Sequence, residues 1–337
     1  MLAKIVGVIY NRSMKKLKLI LTLIFVAICV VAVIIGNNNA GTETSQTEFL
    51  MDTMATIRIH GRGNSARDAI NAAFAEAWEI KRITNYFDEN SEVSLINRAA
   101  AGERIAVSSH LFEILTIARE ISEKSDGAFD VTVASVMDLW DFRGESRVPS
   151  EDELAAALEF VDFSGITLHD DGTVSKTADE IRIDLSGIAK GYAADIAAEV
   201  LRESGVRWGI VDFGGDIVVF GNRAFNIGLQ RAFAPRGEYW KVVEARNAAI
   251  VTSGIYERYF IEDEILYHHI IDPQTGRSAR GKECCPSVLH AVSVVGSTAA
   301  RADAVATAVF VMITRGYSQE QLRELFWEYD IYFEFER

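Results

Sequence analysis

The order of its secondary-structure patterns is the feature of this sequence that most constrains the fold. Helical patterns come early, whereas short strand patterns follow one another in the second half, over residues 208–212, 216–220, 225–230, 239–244, 249–252 and 265–271. Strands that are not separated one by one by helices argue against a repeating βαβ arrangement and favour an α+β fold. A chain of 337 residues can fill one large core or two lobes, and we expect residues 48–337 to form one two-lobed unit.

Local sequence patterns predict several further strands and helices. Alternating or apolar runs predict additional strands over residues 53–60, 181–185, 288–295 and 331–335. Helical periodicity predicts helices over residues 65–82, 108–124, 187–204, 298–312 and 319–327, and one that begins at Ser150. Ser65 followed by Asp68, Ser108 and Ser150 are N-cap signals, and Asp126-Gly127 is a stop signal.

The N-terminal segment has the pattern of a membrane anchor. Residues 1–18 are basic and precede an uncharged run over residues 19–36, which is about as long as a helix that spans a bilayer. Basic residues before the run and none soon after it predict a cytoplasmic N-terminus and a C-terminal domain outside the cytoplasm. The length of the run favours an uncleaved anchor over a secretory signal. Residues 37–47 are small and polar and predict a short tether.

The three cysteines do not predict a disulfide framework. Cys29 lies inside the apolar run, where the preceding Ile28 is too bulky for a lipoprotein recognition site. Cys284 and Cys285 are adjacent, so they can bridge only with strained geometry, and we expect a free or labile pair.

The charge balance excludes one class of partner. The net charge is -14, and the first 42 residues hold five basic residues and no acidic one, which leaves about -19 for the rest. A surface this acidic lacks the basic patches that nucleic-acid binding needs. A phosphate group held through backbone amides or a metal ion is still compatible with it.

A strand pattern that runs into two imidazoles and stops at a carboxylate is the first candidate for chemistry. His268 and His269 end the run, and Asp272 is held in an extended conformation by Pro273. Residues 273–276, Pro-Gln-Thr-Gly, predict a tight turn. The alternative is a polar strand end with an ordinary turn.

A carboxylate and a hydroxyl share one helix face near the C-terminus. Asp303 and Thr307 are four residues apart, so they project side by side. Two hard oxygens at this spacing suit Mg²⁺, which takes few protein ligands and completes its shell with water and phosphate oxygens. The alternative is a polar pair that finds partners inside an otherwise apolar helix.

Several stretches combine glycines or aromatics with carboxylates. At the strand-to-helix turn of residues 183–192, free amides could hold a phosphate, Gly187 permits close approach and Lys190 adds charge; a helix capped by Ser186 is the alternative. The bend over residues 212–216, Asp-Phe-Gly-Gly-Asp, suits a ligand or a plain hairpin equally. Aromatics with nearby polar groups also occur in residues 86–97 and 127–132, where aromatic side chains more often belong to a core.

Taken together and in order, these stretches resemble the ApbE family of FAD:protein FMN transferases. The resemblance covers roughly residues 48–315. It is carried by nine segments, Met51–Met54, Ser91–Asn97, Gly127–Thr132, Leu139–Phe142, Asp184–Tyr192, Asp212–Asp216, Ser253–Tyr256, His269–Gly276 and Ala302–Thr307. Each segment is weak alone, but nine in register make chance agreement implausible.

The resemblance implies a two-lobed α+β fold with FAD in the cleft between the lobes and a role for each matched position. Mg²⁺ would be held by the side chains of Asp303 and Thr307 and the backbone carbonyl of Gly187. His269 would be the base that deprotonates the acceptor hydroxyl, and Asp272 would lie next to the metal and the diphosphate. FAD would be contacted by Met51, Phe87, Ala128, Phe129, Asp130, Asp184, Lys190 and Ile271.

The resemblance also implies a reaction and a partner. FMN would move from FAD to a threonine or serine hydroxyl of another flavoprotein, with release of AMP. No acceptor motif or flavin-accepting domain is present in this sequence, so the acceptor is expected to be a separate chain. A Mg²⁺-dependent FAD pyrophosphatase and a non-catalytic FAD-binding module are the alternatives, and the product, free FMN or a flavinylated protein, separates the two enzymes. With the N-terminal anchor, we expect the enzyme at the cell membrane with its catalytic domain outside the cytoplasm.

Overall fold

A seven-stranded sheet is the centre of the structure, a computed structural model that describes residues 43–279 and 288–336. The pairs from the second strand onward run antiparallel. In spatial order its strands are β1 (Glu43–Leu50), β2 (Thr53–His60), β6 (Trp208–Phe213), β7 (Asp216–Gly221), β10 (Ala248–Gly254), β13 (Leu289–Gly296) and β14 (Asp330–Phe335).

Three smaller sheets and eight α-helices complete the described ranges. The small sheets are β3 (Ile105–Ala106) with β5 (Thr173–Lys176) and β4 (Ile166–Leu168), β8 (Phe225–Gln230) with β9 (Tyr239–Ala245), and β11 (Tyr259–Glu262) with β12 (Ile265–His268). The helices are α1 (Gly63–Thr84), α2 (Glu92–Arg98), α3 (Ser109–Lys124), α4 (Ala134–Trp140), α5 (Glu151–Leu158), α6 (Ala189–Glu203), α7 (Ala299–Arg315) and α8 (Gln319–Leu325).

Both faces of the central sheet are covered, which explains the nearly continuous apolar runs of its middle strands. Successive side chains of a strand point to opposite faces. In β6, Val211 and Phe213 therefore join the main core under α6 and α7. Trp208 and Ile210 point the other way, into a second core that is closed by the β8–β9 hairpin. The long helix α7 packs on β10 and β13 and also contacts α6 and α3.

The predicted mixed α and β architecture is confirmed, but the division into two lobes is not seen as two compact units. From Thr44 onward the chain forms one unit. It has a main core, the second core behind the sheet, and a small third core built around Val136, Trp140, Leu154 and Ile271. Helices and the hairpin that pack on opposite faces of one sheet make a single layered body.

Some local predictions are confirmed because the decisive interactions are short-range. Ser108 caps α3 with a hydrogen bond from the Leu111 amide at 3.2 Å. Ser150 and Glu153 form the capping box of α5. Asp126 and Gly127 take left-handed conformations after α3, with φ of 52° and 66°, as expected of a stop signal.

Other local predictions are wrong. Residues 181–185 form no strand; Arg182 makes only an isolated bridge to Val133. Helix α1 begins at Gly63, so Ser65 and Asp68 do not cap it. Helix α6 begins at Ala189 without a side-chain cap, which removes the alternative of Ser186 as its cap.

The N-terminal predictions fall largely outside the described residues. The basic segment 1–18, the anchor 19–36 and the start of the tether lie there, as do Cys284 and Cys285. Residues 43–47, the described part of the predicted tether, instead begin strand β1, whose side chains alternate between exposed and half-buried. Within residues 43–279 and 288–336, every helix is too short or too polar to cross a membrane.

Candidate active site

Helices α6 and α7 bring several predicted site residues together because they approach each other closely. A Cβ added to Gly191 of α6 would lie 2.4 Å from the carbonyl oxygen of Ala299 in α7. Asp195, one turn further along α6, accepts hydrogen bonds from the backbone amides of Ala299 at 2.8 Å and Ala300 at 2.9 Å. A helix leaves these first amides without partners, so Asp195 fastens the start of α7 to α6.

A cluster of one ammonium and two carboxylates lies where α6, α7 and the β6–β7 bend meet. Lys190 Nζ is 2.8 Å from Asp216 Oδ2 and 3.5 Å from Asp303 Oδ2. The side chains of the two aspartates are 2% and 6% exposed, against 28% for Lys190. We refer to Lys190, Asp216 and Asp303 as the cation cluster.

The pKa shifts in the cation cluster follow from burial and charge. Burial raises the pKa of Asp216 well above its usual range, the neighbouring Asp303 carboxylate adds to the rise, and Lys190 opposes it. Burial alone would lower the pKa of Lys190, but the two carboxylates outweigh it and raise that pKa. Two buried carboxylates in contact repel each other unless a cation or a proton lies between them, so this cluster has a strong preference for positive charge.

Thr307 and Gly187 belong to the same chain segments as members of the cation cluster. Thr307 Oγ1 is 3.1 Å from Ser253 Oγ of β10, and Thr307 lies one helical turn after Asp303 on the same face of α7. Gly187 precedes α6 by two residues, and a Cβ there would lie 3.1 Å from the Phe129 ring. The side chain of Phe129, which is buried, thus packs directly against the backbone that offers the Gly187 carbonyl.

His269 lies directly after β12 and is held in one tautomer. Its backbone amide and its ring Nδ1 are 3.1 Å and 3.2 Å from the carbonyl oxygen of Arg258. Because a carbonyl oxygen only accepts, Nδ1 carries the proton and Nε2 keeps its lone pair. Burial lowers the pKa of His269 to about 4, helped by the nearby positive charges of Arg258, Lys190 and Arg143. His269 is therefore a neutral acceptor at pH 7.

Two arginines and Asp52 form an ion cluster near His269. Asp52 Oδ2 is 3.4 Å from Arg143 Nη1 and 3.5 Å from Arg258 Nη2. The Arg143 guanidinium lies 4.7 Å from the ring centre of Phe87, a side chain that is 63% exposed. Arg258 thus contacts His269 through its backbone carbonyl and shares Asp52 with Arg143, which in turn lies against the Phe87 ring.

Asp272 lies in a different environment from the one predicted for it. Its Oδ1 accepts hydrogen bonds from Arg315 Nη2 at 2.6 Å and from the Gln274 amide at 2.9 Å. Arg315 ends α7 and is twelve residues, roughly 18 Å, from Asp303 along the same helix. The contacts of Asp272 are thus those of a residue that fixes the turn after His269 to the far end of α7.

Asp130 is satisfied by hydrogen bonds from its own loop and from the backbone of Phe163. It accepts hydrogen bonds from the Thr132 amide at 2.8 Å, the Thr132 hydroxyl at 2.7 Å and the Phe163 amide at 3.0 Å. Burial raises the pKa of Asp130, and these bonds oppose the rise. Asp130 and Arg315 line a cavity of about 490 Å³ that the cation cluster does not reach.

The remaining predicted contacts differ in what they can offer a ligand. The side chains of Ala128, Phe129 and Ile271 are at most 6% exposed and belong to hydrophobic cores, so only their backbones are available. Met51 is half-buried and opens the turn between β1 and β2 with a left-handed φ of 51°. Asp184 is half-buried, and its Oδ1 accepts a hydrogen bond from the Ser186 amide at 2.7 Å.

Four residues of this site received no role from sequence reasoning: Asp216, Ser253, Arg143 and Arg258. A signal existed for the first two, because Asp216 closes the Asp-Phe-Gly-Gly-Asp bend and Ser253 opens the segment Ser253–Tyr256. The roles of Arg143 and Arg258 depend on long-range contacts to Asp52 and His269, for which the sequence carries no local signal.

The oxygens beside the cation cluster fit a magnesium ion. Asp216, Asp303, Thr307 and the Gly187 carbonyl are hard donors, and Mg²⁺ needs only one or two carboxylates when water and phosphate supply its other ligands. The described residues contain no group of three or more histidine, cysteine or acidic side chains arranged to hold a metal, which argues against a dedicated all-protein metal cage there. The strong preference of the cation cluster for positive charge is the observation that supports the fit.

Comparison with known proteins identifies the family. The model of the ApbE family matches residues 51–322, well over half of the chain. The chain belongs to the ApbE family. The resemblance expected from the nine segments is therefore confirmed, and the matched range includes the cation cluster and His269.

Relatives of known name agree with this assignment. A Vibrio cholerae protein named FAD:protein FMN transferase is 32% identical over 241 residues, which cover 69% of this chain and 70% of the relative. A Treponema pallidum protein of the same name is 29% identical over 293 residues, 80% of this chain and 79% of the relative.

Solved structures confirm the fold. The ApbE protein of Thermotoga maritima superposes with a TM-score of 0.78 at 30% identity, covering 88% of this chain and 97% of that one. The flavinyl transferase ApbE of Pseudomonas stutzeri superposes with a TM-score of 0.73 at 26% identity, covering 87% and 91%. This chain is thus an ApbE-family protein of the transferase type with the ApbE fold.

Proposed function

We propose that this protein transfers FMN from FAD to a threonine or serine hydroxyl of a partner flavoprotein, in a Mg²⁺-dependent reaction that releases AMP. The observation that carries the proposal is the bond between His269 Nδ1 and the Arg258 carbonyl, which leaves Nε2 free to accept a proton. The buried cation cluster supplies the second part of the site. A neutral base and an acidic pocket that favours a cation together suit the transfer of a phosphoryl group to a hydroxyl. The names of the relatives support the same reaction.

His269 acts as the general base of this reaction. The acceptor hydroxyl gives its proton to Nε2, the nitrogen left free by the bond between Nδ1 and Arg258. The hydroxyl oxygen forms a new bond to the FMN phosphorus of FAD, and the bond from that phosphorus to the bridging oxygen breaks. AMP leaves with the electron pair of the broken bond. The Arg258 carbonyl keeps the ring oriented throughout.

Positively charged side chains near His269 would bind the diphosphate of FAD. Lys190, Arg143 and Arg258 together offset the negative charge of the substrate, which an acidic protein would otherwise repel. Asp303, Thr307 and the Gly187 carbonyl would hold Mg²⁺, and Asp216 adds a carboxylate that the family resemblance did not include. When bound, the metal supplies charge stabilisation for the phosphoryl group that moves.

FAD is oriented by an aromatic ring and by backbone groups. Phe87 is exposed and backed by Arg143, which suits stacking on a flat ring system. Ala128, Phe129 and Ile271 would contribute backbone contacts, and Met51 would border the site at its turn. Asp130 and Asp184 stabilise the conformation of the loops that border the site through hydrogen bonds to backbone amides. Asp272 would act indirectly, because it fixes the turn that follows His269 to the end of α7.

The location of the enzyme is part of the proposal and rests on the sequence of residues 1–36. The apolar run 19–36 would anchor the protein in the cell membrane with its catalytic domain outside the cytoplasm, where exported flavoproteins would be its partners. Externally added protease is expected to degrade the catalytic domain in spheroplasts while a cytoplasmic marker stays intact. Protection of the catalytic domain under those conditions would contradict this location.

The product decides between transfer and hydrolysis. The full-length protein in detergent is incubated with FAD, Mg²⁺ and a purified acceptor flavoprotein, and the intact mass of the acceptor is followed. A mass gain equal to that of an FMN ester, absent with His269→Ala, is the expected result. Release of FMN and AMP without any mass gain would instead make the protein a FAD pyrophosphatase.

A further inference from the structure

The ammonium of Lys190 has the environment of a bound metal ion. It lies between two carboxylates that are almost fully buried, at 2.8 Å from one and 3.5 Å from the other. Those carboxylates are the acidic oxygens that a divalent cation would take at this position. An ammonium and a magnesium ion cannot share these oxygens at close range, because both are positive and each needs the same lone pairs.

We propose that Lys190 is an internal counter-ion that occupies the metal position in the ligand-free enzyme and leaves it for the diphosphate of FAD when the metal binds. The inference rests on the proposed function and deepens it. In the ligand-free protein the ammonium offsets one of the two negative charges of Asp216 and Asp303 and competes with free Mg²⁺ for their oxygens. When FAD is present, its diphosphate offers the ammonium a new partner of opposite charge.

The lysine side chain can make this movement. Lys190 is the second residue of α6 and its side chain is 28% exposed, so its flexible four-carbon stem is not fully enclosed. Asp216 and Asp303, in contrast, are fixed on β7 and α7 inside the core. The mobile member of the cation cluster is therefore the cation.

A coupling between two ligands follows from this arrangement. If FAD draws the ammonium away from the carboxylates, then FAD strengthens the binding of Mg²⁺, and by linkage Mg²⁺ strengthens the binding of FAD by the same factor. Free Mg²⁺ would then seldom fill the site before FAD arrives.

The substitution Lys190→Met separates this role from a merely structural one. Titration calorimetry of the full-length protein without FAD is expected to show that Lys190→Met binds Mg²⁺ at least about tenfold more tightly than the wild type. FAD binding in the presence of a chelator is expected to weaken in the same variant. Tighter Mg²⁺ binding together with weaker FAD binding would identify the counter-ion role. A lysine that only supported the fold would weaken the binding of both ligands when it is replaced.

Three further variants control the test. Arg143→Met also removes a positive charge near His269 but leaves the cation cluster intact, so its Mg²⁺ affinity should change by less than about threefold. Lys190→Arg keeps the charge and should retain weak Mg²⁺ binding. If Lys190→Met does not fold, Lys190→Gln, which can still donate hydrogen bonds to both carboxylates, replaces it.

Two results would overturn the inference and are distinguishable. Equal Mg²⁺ affinities of the wild type and the neutral variants at residue 190 would overturn the counter-ion role alone. Absence of Mg²⁺ binding in every protein, with and without FAD, would overturn the metal assignment of the proposed function and this inference with it.

Discussion

Gly191 of α6 faces the carbonyl oxygen of Ala299 in α7 at a distance that excludes any side chain, since a Cβ at position 191 would lie 2.4 Å from that oxygen. The neighbouring Lys190 and the α7 residue Asp303 lie 3.5 Å apart between charged atoms. The close contact of the two helix backbones therefore sets the geometry of the cation cluster.

Gly191→Ala is expected to push α6 and α7 apart. Overpacking of this kind costs about 1–3 kcal/mol of stability, and it should weaken Mg²⁺ binding because Asp303 moves relative to Gly187 and Lys190. Urea unfolding and calorimetry measure the two effects. Glu203→Ala, an exposed change at the other end of α6, is the matched control and should alter neither. Unchanged stability of Gly191→Ala would show that the contact is not tight.

His269 is expected to take up a proton only near pH 4 in the ligand-free protein, because burial and nearby cations lower its pKa. Because the pKa of His269 is lowered, the lone pair of Nε2 stays available above about pH 5, and the base is lost only as the pH falls through about 4. Histidine NMR titration measures this, with His269→Gln identifying the resonance. A midpoint near 6.5 would contradict the half-buried, cation-flanked environment of His269.

Asp272 and Arg315 are expected to act as one unit. Asp272→Asn and Arg315→Gln each break a pair whose side chains are only 10% and 15% exposed, so each should lower stability by about 2 kcal/mol or more, while the double variant loses little beyond either single one. Denaturant unfolding of the wild type, the two single variants and the double variant measures this double-mutant cycle. A large loss of kcat in Asp272→Asn with unchanged stability would instead place this carboxylate at the reacting atoms.

Phe87→Ala is expected to weaken FAD binding by about three- to tenfold without lowering stability, because an exposed ring contributes stacking and not core packing. Calorimetry with FAD measures the affinity. Trp327→Ala removes another exposed aromatic side chain, 77% exposed, and serves as the control. Equal affinities of Phe87→Ala and the wild type would exclude Phe87 from the FAD site.

The sequence was most informative where interactions are local. The caps Ser108 and Ser150, the stop at Asp126 and the strands of the central sheet other than β1 follow from patterns within a few residues. The strand Tyr259–Glu262 was missed, as was β1, whose polar alternation has the composition of a tether although it pairs as a strand beside β2. Ile181, Ile183 and Leu185 have an apolar strand pattern but are buried core residues of a loop.

The site was predictable in its parts and not in its arrangement. The spacing of Asp303 and Thr307 and the position of His269 after a strand are local, and the family resemblance assigned their roles. The pairing of Lys190 with Asp216, 26 residues away, depends on how α6 packs beside β7. The partner of Asp272 likewise depends on α7 ending at Arg315, which no pattern near residue 272 encodes.

Flavin transfer is expected to depend on the Asp303 carboxylate. The rate of acceptor flavinylation is measured by intact mass over a range of Mg²⁺ concentrations for the wild type and Asp303→Ala, with circular dichroism to verify the fold. We predict metal-dependent transfer in the wild type, abolished by a chelator, and none in the folded Asp303→Ala variant at any Mg²⁺ concentration. Unchanged Mg²⁺-dependent transfer in Asp303→Ala would contradict the metal assignment on which the account rests.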